Sequence, residues 1–191
     1  MLAATSMLKW DQPVKVMDYR VTPCLPGALI YVFREIFIDL AYLFRTPKSN
    51  PLILDCGSNI GLSILFFKML YPEARVVAFE PEPKTFARLQ ENVSKNGLRD
   101  ITLHAVAVGR EKGTVEFFRD PNEVGSPTAS LDRRRVPNAV AETVPLVKLS
   151  EFVAGPEAAR FGYQVQGTCN PTWRDSRGRI SQDVVVYAYR K

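Results

Sequence analysis

The chain has 191 residues, 46% hydrophobic and 24% charged, which suits one α/β core and gives no sign of a second full domain. Its net charge is +5, and part of the basic excess is gathered at Arg133-Arg134-Arg135, with no basic helix or interleaved aromatic pattern, so nucleic acid is not the expected partner. Three cysteines, Cys24, Cys56 and Cys169, make neither an even framework nor a C-x-x-C pair, which speaks against a disulfide scaffold or zinc site and for a reducing cytoplasm.

Met1 to Leu8 lacks the positively charged start of a secretory signal. The apolar stretches from Ala28 to Phe33 and from Ile36 to Phe44 are broken by Arg34, Glu35 and Asp39, so neither is a membrane span of about 20 apolar residues. They read as an N-terminal helical cap within residues 1–50, either packed on the core or forming one wall of a cofactor or acceptor pocket. Leu52, Ile53 and Leu54 lack polar alternation, the pattern of a strand buried on both faces of a parallel sheet. Asp55 stands where that strand leaves the sheet. Gly57 and Gly61 let the backbone turn sharply and let a ligand come close to it. Asn59 tolerates a left-handed conformation and is expected to cap a helix that begins at about Ile60 and stops at Tyr71-Pro72. A second apolar run, Val76 to Phe79, ends at Glu80, 25 positions after Asp55 and close to the spacing of about 20 at which dinucleotide folds place a ribose-binding acid.

A helix is expected from Pro83 to Asn96, with Phe86, Leu89 and Val93 on one face and Asn96-Gly97 as its stop. Ile101 to Val108 reads as the third strand and Val115 to Phe118 as a shorter one. Pro121 to Asn138 is a long loop rich in proline, polar residues and arginine, of the kind that carries function or lacks order. The arginine triplet within it is read as solvated. Glu142 to Leu149, Phe161 to Gly167 and Asp183 to Tyr189 complete the strands. The fold expected is α/β and Rossmann-like: a mostly parallel sheet flanked by helices in residues 51–191, with the N-terminal cap and a C-terminal antiparallel strand pair.

Asp55-Cys56-Gly57-Ser58-Asn59-Ile60-Gly61 and Ala78-Phe79-Glu80-Pro81 resemble the first two motifs of S-adenosylmethionine-dependent methyltransferases, specifically the FkbM-type group. The likeness reaches back to Phe33-Arg34-Glu35-Ile36-Phe37 and Tyr42 and forward through Asn92, Asn96, Leu103 to Gly109, Gly113 to Phe117 and Val144 to Leu149. It implies S-adenosylmethionine as cofactor, no metal, and a hydroxyl of a small metabolite or sugar as acceptor. The residues implied to hold the cofactor are Asp55, Gly57, Ser58, Asn59, Gly61, Glu80 and Pro81, with Ala105 and Val106 against the adenine. A P-loop's G-K-[ST] is absent, and Asn59 stands where a dinucleotide fold wants its middle glycine, which disfavours an NAD-dependent oxidoreductase.

One departure affects catalysis. In the family, the counterpart of Leu149 to Val153 is followed by a strand ending in an acidic motif, then a helix, a strand and a helix. Here Ala154 to Arg160 leads directly to Phe161. A βαβ unit of about 30 residues or more is therefore missing by comparison, with a central strand and the acids beside the transferred methyl. Catalytic residues stay unassigned. His104, the only histidine, is weighed as a base and read instead as a structural or adenine-side residue. The alternative function is a noncatalytic cofactor-binding or interaction module, with an exposed sheet edge that a partner covers or that drives self-association.

Overall fold

The computed structural model describes residues 12–153 and the strands Tyr163–Cys169 and Val184–Arg190. An antiparallel ribbon comes first, β1 (Val14–Val16) and β2 (Tyr19–Val21), with Met17 turning between them at a φ of 52°. Its alternation buries Val16 and Val21 and leaves Lys15 and Arg20 exposed. Helix α1 (Pro26–Phe33) starts on proline, which suits the first helical position. It runs into a π-helical turn, Arg34–Ile38, where the Asp39 N–H donates to the Arg34 carbonyl five residues back at 2.9 Å. Ile36 of this turn is buried, and Phe37 meets Phe66 edge-on at 5.4 Å.

Two parallel βαβ units follow: β3 (Leu52–Cys56), α2 (Leu62–Leu70), β4 (Arg75–Phe79), α3 (Pro83–Lys95) and β5 (Ile101–His104). Leu52 pairs with Arg75 and Val76 with Ile101, so the strand ends of β3, β4 and β5 lie side by side. Helix α2 buries Leu62, Ile64, Leu65, Phe66 and Phe67, as expected of a helix enclosed in a core. Even Lys68 is buried there. Its Nζ donates to the carbonyls of Ala74 and, at 3.2 Å, Pro72, and burial lowers its pKa.

The third strand differs from expectation. Ile101 to Val108 reads as one strand in sequence, yet β5 (Ile101–His104) ends at His104, and β6 (Ala107–Gly109) belongs to a second sheet with β7 (Gly113–Arg119) and β8 (Val140–Lys148) in the order β6-β8-β7. Ala107, Phe117 and Val144 form a separate small core, which draws the chain out of the main sheet after Ala105-Val106. Strand β8 gives way to a short helix, α4 (Leu149–Val153), so Leu149 is helical rather than the end of a strand.

The C-terminal strands β9 (Tyr163–Cys169) and β10 (Val184–Arg190) pair antiparallel, and the main sheet has the order β5-β4-β3-β10-β9. Strand β10 lies antiparallel against β3, from Val184↔Cys56 to Ala188↔Leu52. Strand β3 is thus interior to the sheet, with β4 on one side and β10 on the other, and β5 and β9 are the edge strands. The junction from Ala154 to Arg160 lies outside the described residues. Among the described residues no helix is long and apolar enough to cross a membrane.

Candidate functional site

The turn after β3 is built on three left-handed residues, Gly57 (φ 94°), Asn59 (φ 49°) and Gly61 (φ 95°). The N–H groups of Gly57 and Ser58 both donate to the Phe79 carbonyl, at 2.9 and 3.0 Å, and tie the turn to the end of β4. A Cβ on Gly61 would lie 2.8 Å from Leu89 Cδ1, so the glycine allows α3 to pack closely. Asn59 does not cap the helix. Left-handed backbone at positions 59 and 61 delays the first helical turn to Leu62, with Gly61 at the N-cap. The Asn59 side chain instead accepts from the Ile60 N–H at 2.8 Å and donates to the Gly125 carbonyl at 3.0 Å, joining this turn to the long loop after β7.

Glu80 is 5% exposed at the end of β4. Its Oε2 accepts from the Asn59 N–H and its Oε1 from the Glu82 N–H, each at 2.9 Å. The same carboxylate thus fixes the shape of the glycine turn. Asp55 is 2% exposed and accepts from Ser63 Oγ at 2.6 Å. It sits beneath the turn rather than in a cavity wall.

A cavity of about 390 Å³ opens over these strand ends, a volume within the range of small-molecule sites. Gly57, Ser58, Asn59, Glu80, Pro81 and Val106 line it; Asp55, Gly61 and Ala105 do not. Ala105 is exposed, because the chain leaves the sheet there. His104 also stays out of the wall. It stacks on Phe79 at 5.3 Å and meets Phe152 edge-on at 5.2 Å, and burial pushes its imidazole pKa down, which keeps it neutral at neutral pH.

The wall includes residues that the sequence did not single out as ligand contacts. Val32, Glu35 and Tyr42 come from the cap, which thereby forms one side of the cavity. Glu82 caps α3: its Oε2 accepts from the Thr85 N–H at 2.9 Å and from the Thr85 hydroxyl. Its buried Oε1 has no hydrogen-bond donor among the described residues, although Arg119 Nε lies 3.8 Å away and bonds to Glu142 at 3.0 Å. Gly125, Ser126 and Arg135 come from the long loop. Asp120 pins both ends of that loop by accepting from the Asn122 N–H at 2.9 Å and Asn138 Nδ2 at 3.1 Å, bonds that lower its pKa. In the arginine triplet, now a short 3₁₀ turn, Arg133 and Arg134 are exposed as expected, and hydrogen bonding from Arg134 holds Asp132 down at about 2. Arg135 is not solvated in that way; it is half-buried and lines the cavity. Among the described residues no group of three or more His, Cys, Asp or Glu is placed to hold a metal ion.

A family model described as the methyltransferase FkbM domain matches residues 55–161. Methyltransferase 1 of Beauveria bassiana is 30% identical over 122 residues, 63% of this chain and 49% of that protein. The 31-O-demethyl-FK506 methyltransferase FkbM of Streptomyces tacrolimicus is 38% identical over 98 residues, 49% of this chain and 37% of its own. The crystal structure of the FkbM methyltransferase of Methylobacillus flagellatus KT aligns with 81% of this chain and 47% of its own, at 14% identity and a TM-score of 0.41. The chain spans about half the length, or less, of these curated relatives.

Proposed function

The chain belongs to the FkbM methyltransferase domain family, and on that premise we propose that it binds S-adenosylmethionine in the cavity over β3 and β4 and methylates a hydroxyl of a small metabolite or sugar. Glu80 is the observation that carries this reading. It is a buried carboxylate in the cavity wall, at the end of the second parallel strand, already bonded to the glycine turn. A carboxylate accepts several hydrogen bonds at once, so holding the Asn59 and Glu82 N–H groups is compatible with accepting from ribose hydroxyls as well. Pro81 and Val106 then provide apolar contact for adenine, and the backbone of Gly57 and Ser58 flanks the amino acid part. The glycine turn brings main chain rather than side chain to the ligand, which suits a cofactor that has no phosphate.

When bound, the sulfonium supplies an electrophilic methyl for in-line displacement by the acceptor oxygen. The task of this chain's residues is placement. Glu80 and the turn fix the nucleoside, while the cap and the loop from Asp120 to Asn138 wall the cavity and exclude water from it. The packing of His104 between Phe79 and Phe152, outside the cavity wall, does not support a role as base. A small-molecule acceptor, no nucleic-acid partner and a cytoplasmic location belong to the same proposal.

A second reading, a cofactor-binding protein without turnover, is favoured by the antiparallel β10 lying directly against β3. Calorimetric titration with S-adenosylhomocysteine and with NADH tests the cofactor class; binding of NADH alone would refute the proposal. Transfer of labelled methyl from S-adenosylmethionine to hydroxylated acceptors then separates enzyme from binder.

A further inference from the structure

The cavity wall has two sources besides the cap. One is the strand ends, which supply Gly57, Ser58, Glu80, Pro81 and Val106, the residues proposed above to meet the cofactor. The other is the loop after β7, which lines the cavity from Glu123 to Arg135 and is tied to the glycine turn by the Asn59 bond to the Gly125 carbonyl. The cofactor reading uses none of this second part, which leaves it to the molecule that receives the methyl. Its charged wall residues are Glu123 and Arg135. Glu123 accepts from Ser126 Oγ at 3.2 Å within the loop.

Arg135 is held in place by its neighbours in the chain. Its N–H donates to the Asp132 carbonyl at 3.1 Å, which closes the 3₁₀ turn, and Val136 beside it is buried. Asp132 is the nearest acid in sequence, yet Arg134 occupies both of its carboxylate oxygens, at 2.9 Å through Nε and 2.8 Å through a terminal nitrogen. Arg133 and Arg134 are exposed, whereas Arg135 is half-buried, and among the described residues its guanidinium has no hydrogen bond or ion pair. Arg119, the other cation of the wall, is engaged: its Nε donates to Glu142 at 3.0 Å and lies 3.8 Å from Glu82. Withdrawing a guanidinium from water is costly unless an acceptor meets it, and its planar fork of N–H donors matches the two oxygens of a carboxylate or phosphate. From this placement, and resting on the cofactor reading, we infer that Arg135 binds an oxyanion carried by the methyl acceptor. The substrate class is then an acidic hydroxylated metabolite, such as a sugar acid or a sugar phosphate. The carboxylates elsewhere in the wall suit the positively charged cofactor and confine the acceptor's anion to the Arg135 side.

The test uses three probes that share a skeleton: glucose, glucuronate and glucose 6-phosphate. Each is titrated into the 191-residue chain saturated with S-adenosylhomocysteine, and into its Arg135→Gln and Arg133→Gln variants, with binding read by saturation-transfer NMR. At least one of the two anions should bind about tenfold or more tighter than glucose, a preference lost in Arg135→Gln and kept in Arg133→Gln. Which anion binds tells a carboxylate from a phosphate. Equal binding of all three, binding of none, or a preference that survives Arg135→Gln would overturn the inference. A second titration guards against a contact with the cofactor itself: Arg135→Gln should leave the affinities for S-adenosylhomocysteine and 5′-methylthioadenosine unchanged. A loss confined to S-adenosylhomocysteine would overturn the inference by giving the guanidinium to the cofactor's own carboxylate, and equal losses would overturn it by making Arg135 a support of the cavity. A wild-type chain that does not bind S-adenosylhomocysteine would refute the cofactor reading, and the inference with it, a failure distinct from the others.

Discussion

Replacing Glu80 with alanine should lower stability even when no ligand is present, because the carboxylate is part of the fold before it is part of a binding site. Two charge-assisted hydrogen bonds disappear, from the N–H groups of Asn59 and Glu82, both at 2.9 Å. Each is worth about 1.5–3 kcal/mol net, and water entering the cavity wall satisfies some of the freed groups, so the expected loss is about 2–4 kcal/mol. For a chain of this size about 1 kcal/mol moves the melting temperature by about 2–4 °C, which gives a drop of about 4–16 °C. Urea denaturation followed by circular dichroism measures the first effect. Calorimetric titration of S-adenosylhomocysteine, performed well below the variant's midpoint, measures the second, an affinity loss of about tenfold or more. Stability within about 0.5 kcal/mol of the wild type would refute the loop-holding argument. Intact affinity in a folded Glu80→Ala variant would refute the ribose contact.

Gly61→Ala should cost about 2–4 kcal/mol in urea denaturation, from a left-handed φ and a Cβ that displaces Leu89; an unmoved midpoint would show that the turn relaxes freely. Val106→Trp should abolish S-adenosylhomocysteine binding while Ala105→Trp leaves it unchanged, since only Val106 lines the cavity; the opposite result would relocate the adenine. His104 titrates below its ordinary value through burial, so the folded chain takes up its proton less readily than the unfolded chain. Its contribution is complete above about pH 6.5 and is lost as the pH falls through the depressed folded value. His104→Phe should flatten that part of a stability curve against pH, and a slope identical to wild type would assign the acid sensitivity elsewhere.

The parallel half of the fold was readable because its signals are local. Leu52 to Leu54 and Val76 to Phe79 are unbroken apolar runs, and Pro83 and Asn96-Gly97 mark the two ends of α3. The break at Ala105-Val106 was not readable, since Ala105 to Val108 is apolar throughout and suits a strand of one sheet or of two. What divides it is a core made with Phe117 and Val144, residues whose pairing depends on the whole chain. The first ribbon alternates visibly in Val14-Lys15-Val16 and Tyr19-Arg20-Val21, but its Met17-Asp18 turn has none of the glycine or asparagine that announces a hairpin. In the site, the strand-end position of Glu80 followed from spacing. Nothing in the composition of the long loop shows that Gly125 rests on Asn59, and Glu35 was visible as a charge interrupting an apolar stretch and within the family-like stretch Phe33 to Phe37, not as part of a cavity wall.

The pairing of β3 with β10 also sets a timetable for folding. Strand β3 ends at Cys56 and its partner begins at Val184, 128 residues later, whereas β4 and β5 follow β3 closely. At a synthesis rate of about 5–20 residues per second, a chain leaving the ribosome holds β3 complete for about 6–26 s before β10 exists. Over that interval the βαβ units can condense, but one side of Leu52–Cys56 offers unpaired backbone to any extended segment nearby. Slower translation would lengthen the exposure, and a chaperone acting on nascent chains would have its greatest effect in that window.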